Sequence, residues 1–440
     1  MHSSSYISTY IAFVLHSFDM QLPTLSDALL SPALSLIPTL DSHLPDLSYS
    51  DHDFTQLGLR RILQSVKSGR DFLQYARSCE LSEASVRAYF GALSSTRRRT
   101  MLTELNKAVL DQAFLANALP VDRLANIPEL LGRKVFAIDG HVITHATHET
   151  AETTATGRQL IPPSRGVFWR NLRDDTAGVL TQTEGHEHEW AAVKRVEWAD
   201  YPGHGHSRTL LIIDSVAVDF AFLRAAKHGG GFLVITRSKD NLKPREVREL
   251  NWDKSDKRNA GVIRDERVRF DEPGEFRRVT YLDPETGSQF EFLTTDFTLA
   301  PGIIALLYRR RWDIEKLFDV FENKLSEAKA WATGPVPARV QNEFLVLLFN
   351  LALLIRTRLE KDEGIRDEKA EERYTVRLKQ REIKAEANGR TISAWVRALY
   401  IRPTQLSCQF LRWLRDAWQQ CWEYSKAVAL VRPLMKAYLR

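Results

Sequence analysis

Val135-Phe136-Ala137-Ile138-Asp139-Gly140 and Leu210-Leu211-Ile212-Ile213-Asp214-Ser215 decide how this chain is read. Each is a short, uninterrupted apolar run that stops at an acid. Runs of this length read as strands covered on both faces. Covering both faces takes helices on two sides, which places the chain in the α/β class. Sheets of that class gather ligands and chemistry at the carboxyl edge of their strands. If the two runs are neighbours in one sheet, Asp139 and Asp214 sit side by side. Two carboxylates that close repel, and one takes up a proton unless a cation lies between them. A divalent metal ion resolves the conflict. Either aspartate taken alone is an ordinary turn-former or helix cap.

The surrounding sequence extends the sheet. Gly166-Val167-Phe168-Trp169-Arg170-Asn171 and Gly178-Val179-Leu180-Thr181 predict an antiparallel pair across the Arg173-Asp174-Asp175 turn. Residues 187–198 predict a helix, and residues 219–228 another, ahead of the strand Phe232-Leu233-Val234-Ile235-Thr236-Arg237. The order is therefore three strands, helix, strand, helix, strand. Residues 244–301 change character. Short strands are predicted at Val262-Ile263, at 267–270, at 277–282 and at 290–294, separated by Pro/Gly turn signals. Trp252, in the same region, offers a stacking surface, although a lone Trp is more often packed.

A second stretch carries polar groups suited to chemistry: Tyr308-Arg309-Arg310-Arg311-Trp312-Asp313-Ile314-Glu315. Helix phase at roughly 100° per residue puts Tyr308, Arg311, Glu315 and Glu322 inside one arc about 60° wide. Leu307, Ile314, Leu317, Phe318, Phe321 and Leu325 fall on the neighbouring arc. One stripe packs while the next presents a phenol, a guanidinium and a carboxylate. Arg and Tyr suit phosphate oxygens, and a carboxylate suits a hard metal ion. An amphipathic helix with a solvated charged face would look similar. The two upstream aspartates argue for more than that.

In these residues the chain resembles the DDE transposases of bacterial insertion sequences, in the insertion-sequence-four subgroup marked by Tyr-x2-Arg-x3-Glu-x6-Lys. Tyr308, Arg311 and Glu315 match the first three positions; the fourth holds Glu322 instead of Lys. Lys324 lies two residues on, turned roughly 200° away in helix phase. Asp139-Gly140 and Ile213-Asp214-Ser215 match the first and second acids, with Ser215 where the family often has Arg. Residues 232–237 resemble the strand that follows, and the likeness spans residues 55–420.

The resemblance implies a ribonuclease-H-like core, a mixed sheet flanked by helices, built from residues 131–243 and 302–359. A β-rich insertion at 244–301 separates the second Asp from the Glu, and helical regions lie at both ends of the chain. It implies cut-and-paste transposition: cleavage at terminal inverted repeats and strand transfer into target DNA by a homodimer in the synaptic complex. Asp139, Asp214 and Glu315 would be catalytic residues and metal ligands for two Mg²⁺ ions, with Mn²⁺ able to substitute. Asp139 would bridge both ions, Asp214 hold one and Glu315 the other. Arg311, Tyr308, Arg309 and Arg310 would contact DNA phosphates.

Composition is compatible with this and does not prove it. Lys and Arg number 61 against 56 Asp and Glu, a mild excess of +5. The clusters at 97–99 and 309–311 and the basic tail at 397–440 say more, because clusters neutralise phosphates. Three scattered cysteines form neither a disulfide framework nor a metal motif, as in a reducing cytoplasm. Residues 345–355 are strongly apolar but bounded by Glu343 and Arg356, which predicts a buried helix and no membrane partner. Residues 6–15 are too short to span a bilayer.

Residues 1–50, rich in Leu, Ser and Pro, are expected to be poorly ordered, or the start to lie at Met20. Residues 51–130 are expected to be helical, with Ser82 capping a helix at 83–93. That helix-turn-helix pattern ahead of Arg97–Arg99 suits either DNA docking or an ordinary bundle. Residues 360–440 read as a charged linker (360–390) and C-terminal amphipathic helices (393–400, 406–422). Two rival functions remain. One is a catalytically inactive DNA-binding protein of the same fold. The other is a zinc hydrolase built from the seven histidines between His141 and His206.

Overall fold

The computed structural model describes residues 25–362 with short interruptions (65–67, 145, 147–151, 154–158, 161–163, 185–186, 216–217, 240, 284–285 and 326–328), then mainly 404–420 and 426–430. Residues 25–50 pack, contrary to expectation. Helix α1 (Leu25–Leu34) buries Leu25, Leu29, Leu30 and Ala33 on one stripe. Met20 and the apolar stretch 6–15 lie outside the described residues.

Four helices follow: α2 (Asp51–Gln64), α3 (Gly69–Ser78), α4 (Val86–Leu93) and α5 (Thr96–Leu115). Ser68, Ser85 and Ser95 cap the last three, each accepting a backbone N–H from the first turn. The expected cap, Ser82, instead takes the Ala84 N–H at 3.1 Å. A bond two residues ahead closes a local turn, so the helix starts three residues later than the pattern suggests. The basic cluster after α4 also departs from expectation. Asp51 is fully buried, and its carboxylate takes Arg97 Nη2 at 2.6 Å and Arg98 Nε at 3.0 Å. Two of the three arginines are thus turned inward as counter-ions.

The sheet has nine strands in the order β5-β4-β1-β6-β7-β11-β10-β9-β8. They are β1 (Val135–Ile143), β4 (Ser164–Asn171), β5 (Ala177–Gln182), β6 (Thr209–Ile213), β7 (Phe232–Arg237), β8 (Glu246–Glu249), β9 (Val262–Arg269), β10 (Phe276–Leu282) and β11 (Gln289–Thr294). A small separate pair joins β2 (Glu152–Thr153) to β3 (Gln159–Leu160). Strands β1, β6 and β7 are parallel; the other neighbours are antiparallel. Strand β1 does not stop at Asp139, as the apolar run suggested, but continues four residues beyond it.

The β-rich insertion is no separate unit. Strand β11 pairs with β7, Phe292 opposite Arg237, and extends the central sheet outward through β10, β9 and β8. The two short strands expected at 262–263 and 267–270 are one strand, β9. Trp252 is half-buried, with the Lys254 ammonium 5.1 Å from its ring centre.

Strand alternation sorts the core. Phe136, Ile138, Leu211, Ile213 and Val234 face helices α6 (Glu189–Arg195) and α7 (Phe220–His228). Val135, Ala137, Leu210, Ile212 and Ile235 face the other way, into a larger core shared with α1 to α5. The apolar interior therefore runs unbroken across the boundary expected at residue 130. Within that core lie α8 (Pro301–Arg310), α9 (Asp313–Asp319), α10 (Pro335–Asp362) and α11 (Thr404–Gln419).

Among the described residues, one helical stretch, Pro335–Lys361, is long and apolar enough to cross a bilayer, yet 94% of its apolar window is buried inside the protein. It is the central core helix. The helix expected at 393–400 lies outside the described residues, as does most of the charged run before it.

The helix expected through Tyr308 and Glu322 is broken twice. Arg311 N–H reaches Tyr308 O at 3.0 Å and Ile314 N–H reaches Arg311 O at 2.9 Å, a three-residue turn tighter than α. Beyond α9 the backbone opens into a π-helix (Val320–Lys324). Both events shift the helical phase that the sequence reading assumed constant.

Candidate active site

Parallel pairing of β1 with β6 ends at Ile138 opposite Ile213. Asp139 and Asp214 are each the next residue, so the register itself brings the two acids together at the carboxyl edge of β6. Asp139 lies on the same face of β1 as Ala137, the face toward α8 and α9. From that side Arg311 closes on it: Nη1 stands 2.5 Å from Asp139 Oδ2, and Nη2 stands 3.2 Å from Glu315 Oε1. One guanidinium thus joins two acids 176 residues apart in sequence. Tyr308 joins the third, its hydroxyl donating to Asp214 Oδ1 at 2.9 Å. The tight turn at 311–312 is what swings Arg311 and Glu315 toward the strand ends while Tyr308 stays packed on Phe292, ring centres 4.9 Å apart.

Asp139 is electrostatically stressed. Burial is the largest influence on Asp139 and pushes its carboxyl up; the Arg311 guanidinium and the Gly140 N–H oppose this, and Glu189 and Asp214 add to it, leaving it at about 6. A buried carboxylate crowded by two others favours a cation beside it. Arg311 supplies one. Burial, followed by the charge of Asp214, also pushes the Tyr308 phenol above its usual range, so it remains a donor at neutral pH. Asp139, Asp214 and Glu315 are hard oxygen donors that fit Mg²⁺ by chemistry. They do not yet converge: among the described residues, no three His, Cys, Asp or Glu side chains stand close enough to hold one metal ion. The guanidinium lies between Asp139 and Glu315.

The other residues expected to contact phosphate divide. Arg309 keeps 37% of its side-chain surface exposed and lies 3.9 Å from Asp283. Arg310 is turned into the protein, with Nε 2.6 Å from Asp313 Oδ2 and a side chain only 10% exposed. Successive helical residues point about 100° apart, so three adjacent arginines cannot share a face, and Arg310, expected as a phosphate contact, faces Asp313 instead. Glu322, at the position where the subgroup has Lys, is exposed and lies 3.8 Å from His141 Nδ1.

Three neighbours of the site were not among the expected site residues of the DDE reading. His141 is stacked on Phe318 with ring centres 4.7 Å apart, and burial holds it near 4, so it is neutral at physiological pH. Its position two residues after Asp139 on a strand was the available signal, since alternate strand residues share a face. Glu189 lies against Gly140; a Cβ added there would meet its Oε2 at 2.3 Å. The run just before it, His186-Glu187-His188, belongs to the histidine-rich zinc alternative. Trp312 is 58% exposed beside Arg311, and nothing in a continuous helical phase singles it out.

Among the described residues the histidines do not gather into one site. His141 is buried under Phe318, His188 Nδ1 accepts the Trp190 N–H at the start of α6, and His204 packs on Phe232. His145, His148 and His186 lie outside the described residues. No family model matches this chain, and no curated protein matches it.

Proposed function

We propose that the protein is a DNA strand-transfer enzyme of DDE type. The observation that supports it best is the β1–β6 register, which sets Asp139 beside Asp214 within reach of Arg311 and Tyr308 from one short helical segment. Two acids from a sheet edge and one from a packed helix, with a guanidinium among them, suit a phosphodiester substrate. In this reading the mixed sheet and its helices are a ribonuclease-H-like core extended by the β8–β11 insertion. The partners are transposon-end and target DNA, the working form is a dimer, and the location is the cytoplasm.

Asp139, Asp214 and Glu315 would hold Mg²⁺, which supplies an activated oxygen nucleophile and charge compensation at phosphorus. The chain's own groups do the rest. Arg311 presents a planar fork that matches two phosphate oxygens. Tyr308 fixes the orientation of Asp214. Trp312, exposed beside Arg311, offers a face on which a base can stack.

The test is a series on a labelled terminal-repeat duplex. Asp139→Asn, Asp214→Asn and Glu315→Gln should each abolish Mg²⁺-dependent cleavage and retain binding. Cleavage that survives all three substitutions rejects the assignment. A second reading, DNA binding without cleavage, is favoured by Glu322, which sets an anion where the subgroup carries a cation. The wild-type arm decides between them: binding with no strand cleavage supports the second.

A further inference from the structure

Arg311 is an unusual group to find among three acids proposed as metal ligands. It is only 6% exposed, it bonds to Asp139 and Glu315 at once, and its Nε is buried with no hydrogen-bond partner in the structure. Its positive charge also faces Asp214 and the Tyr308 phenol. The two Nη groups are committed to carboxylates, and the remaining donor is unsatisfied. A buried donor without a partner costs about 1–3 kcal/mol, a cost that a new acceptor for the guanidinium would relieve.

Resting on the function proposed above, we propose that Arg311 is a resident counter-ion. In the DNA-free protein it competes with divalent cations for Asp139 and Glu315, and a phosphodiester that takes the guanidinium releases those oxygens for metal. Guanidinium forks bind phosphate and carboxylate with the same geometry, so the exchange replaces like with like. The consequence is thermodynamic coupling: DNA tightens metal binding, and metal tightens DNA binding by the same factor. The protein in free solution then carries weakly loaded carboxylates, and the site fills when a DNA backbone is already in place. Arg310 next door also keeps one buried nitrogen, Nη2, without a partner; what differs is its counter-ion, Asp313, which is shared with Lys316 at 2.9 Å and lies away from the strand-end acids.

The measurement is Mn²⁺ binding to the full-length protein without DNA, followed by the electron paramagnetic resonance signal of free Mn²⁺. The variants are Arg311→Gln, Arg311→Lys, and Asp139→Asn in both the wild-type and the Arg311→Gln backgrounds. Removing the competitor should tighten Mn²⁺ binding, by about 5–150-fold if the coupling is of ordinary size. Arg311→Lys should fall between, since a single ammonium cannot span both carboxylates. Asp139→Asn should erase the gain. Mn²⁺ should also raise the Tm of Arg311→Gln more than that of the wild type. Duplex DNA added to the wild type should move its Mn²⁺ affinity toward that of Arg311→Gln.

Equal or weaker Mn²⁺ binding by Arg311→Gln, with binding that still requires Asp139, overturns the counter-ion role and leaves the metal site standing. Absence of any Asp139-dependent Mn²⁺ binding overturns both. If Arg311→Gln does not fold, Arg311→Lys carries the same comparison. If DNA leaves the wild-type affinity unchanged, the coupling is overturned.

Discussion

The hydroxyl of Tyr308 donates to Oδ1 of Asp214 at 2.9 Å, across 94 residues of chain. It ties the β6 acid to the helical segment that leads to Glu315. Tyr308 is buried, and its ring is wedged against Phe292 of β11. The insertion strand therefore braces the phenol that orients an acid of the core.

Tyr308→Phe keeps that ring packing and removes only the hydroxyl. A single hydrogen bond to a charged group contributes about 1.5–3 kcal/mol, and Asp214 stays partly solvated, so the loss of stability should sit at or below the lower end of that range. Cleavage of terminal-repeat DNA should fall further than stability does, because Asp214 loses its fixed orientation. Thermal unfolding and single-turnover cleavage on one sample separate the two effects. Unchanged cleavage would show that the hydroxyl has no part in positioning Asp214.

Arg309 and Arg310 should behave oppositely. Arg310→Met leaves Asp313 buried with less compensation, and breaking a buried pair from one side costs about 3–5 kcal/mol. Lys316 and Arg170 remain near Asp313, so a loss at or below the lower end is expected, read as a fall in Tm. Arg309→Ala should leave stability within about 0.5 kcal/mol of the wild type and weaken DNA binding with a shallower salt dependence. A fluorescence-anisotropy titration at two salt concentrations measures the second effect.

Gly302 starts α8 hard against the turn at 257–259. A Cβ there would lie 1.8 Å from the Arg258 carbonyl oxygen, and Gly302 N–H donates to Asn259 Oδ1 at 3.0 Å. Backbone cannot step aside as a side chain does. Gly302→Ala should cost about 1–3 kcal/mol or more through overpacking. Because α8 leads directly to Tyr308 and Arg311, cleavage should fall with it. A variant as stable as the wild type would mean that this contact is looser than the geometry indicates.

Asp51 gives a pH signature remote from the strand-end acids. Burial would raise its pKa, but Arg97, Arg98 and the Leu44 N–H outweigh burial and hold it at about 2. Its folded value lies below its unfolded one. The associated stability is therefore present above the ordinary carboxyl pKa and is lost as pH falls from about 4 toward 2. After allowance for solvent screening at the partly exposed Arg97, about 1–2 kcal/mol is involved. Asp51→Asn should be less stable at pH 7 and should lose less stability than the wild type between pH 4 and pH 2. Chemical denaturation across that range reads both slopes.

Much of the sheet was legible because its signals are local. The apolar runs before Asp139 and Asp214 carry enough β-branched and aliphatic bulk to specify buried strands without knowledge of their neighbours. Strand β7 matches its predicted bounds, residues 232–237, for the same reason. The helix expected at 219–228 is found at Phe220–His228, capped by Asp219, whose side chain accepts the Phe222 N–H. Strand β1 was cut short because Gly140 and His141 look like a turn; pairing with β4, His141 opposite Gly166, keeps them extended.

The fate of individual charges was not legible. Arg97, Arg98 and Arg310 look like any surface cluster in one dimension. They turn inward because Asp51 and Asp313 lie buried within reach, and burial depends on the whole assembly. The double break in the Tyr308–Glu322 segment is likewise a tertiary result. A tight turn and a π-helix each give up regular bonding, which packing against β1 and the core offsets.

The sequence alone determined the alternation of strands and helices, the acids at the ends of two buried runs, and the polar trio Tyr308, Arg311 and Glu315, because hydrophobic period and residue chemistry are properties of a few consecutive positions. Only the tertiary structure decided that β6 lies beside β1 in the register that aligns Asp139 with Asp214, that β11 extends the same sheet, and that Arg311 spans two acids. Those outcomes depend on which distant surfaces exclude water together, and such pairing is set by the folded chain as a whole.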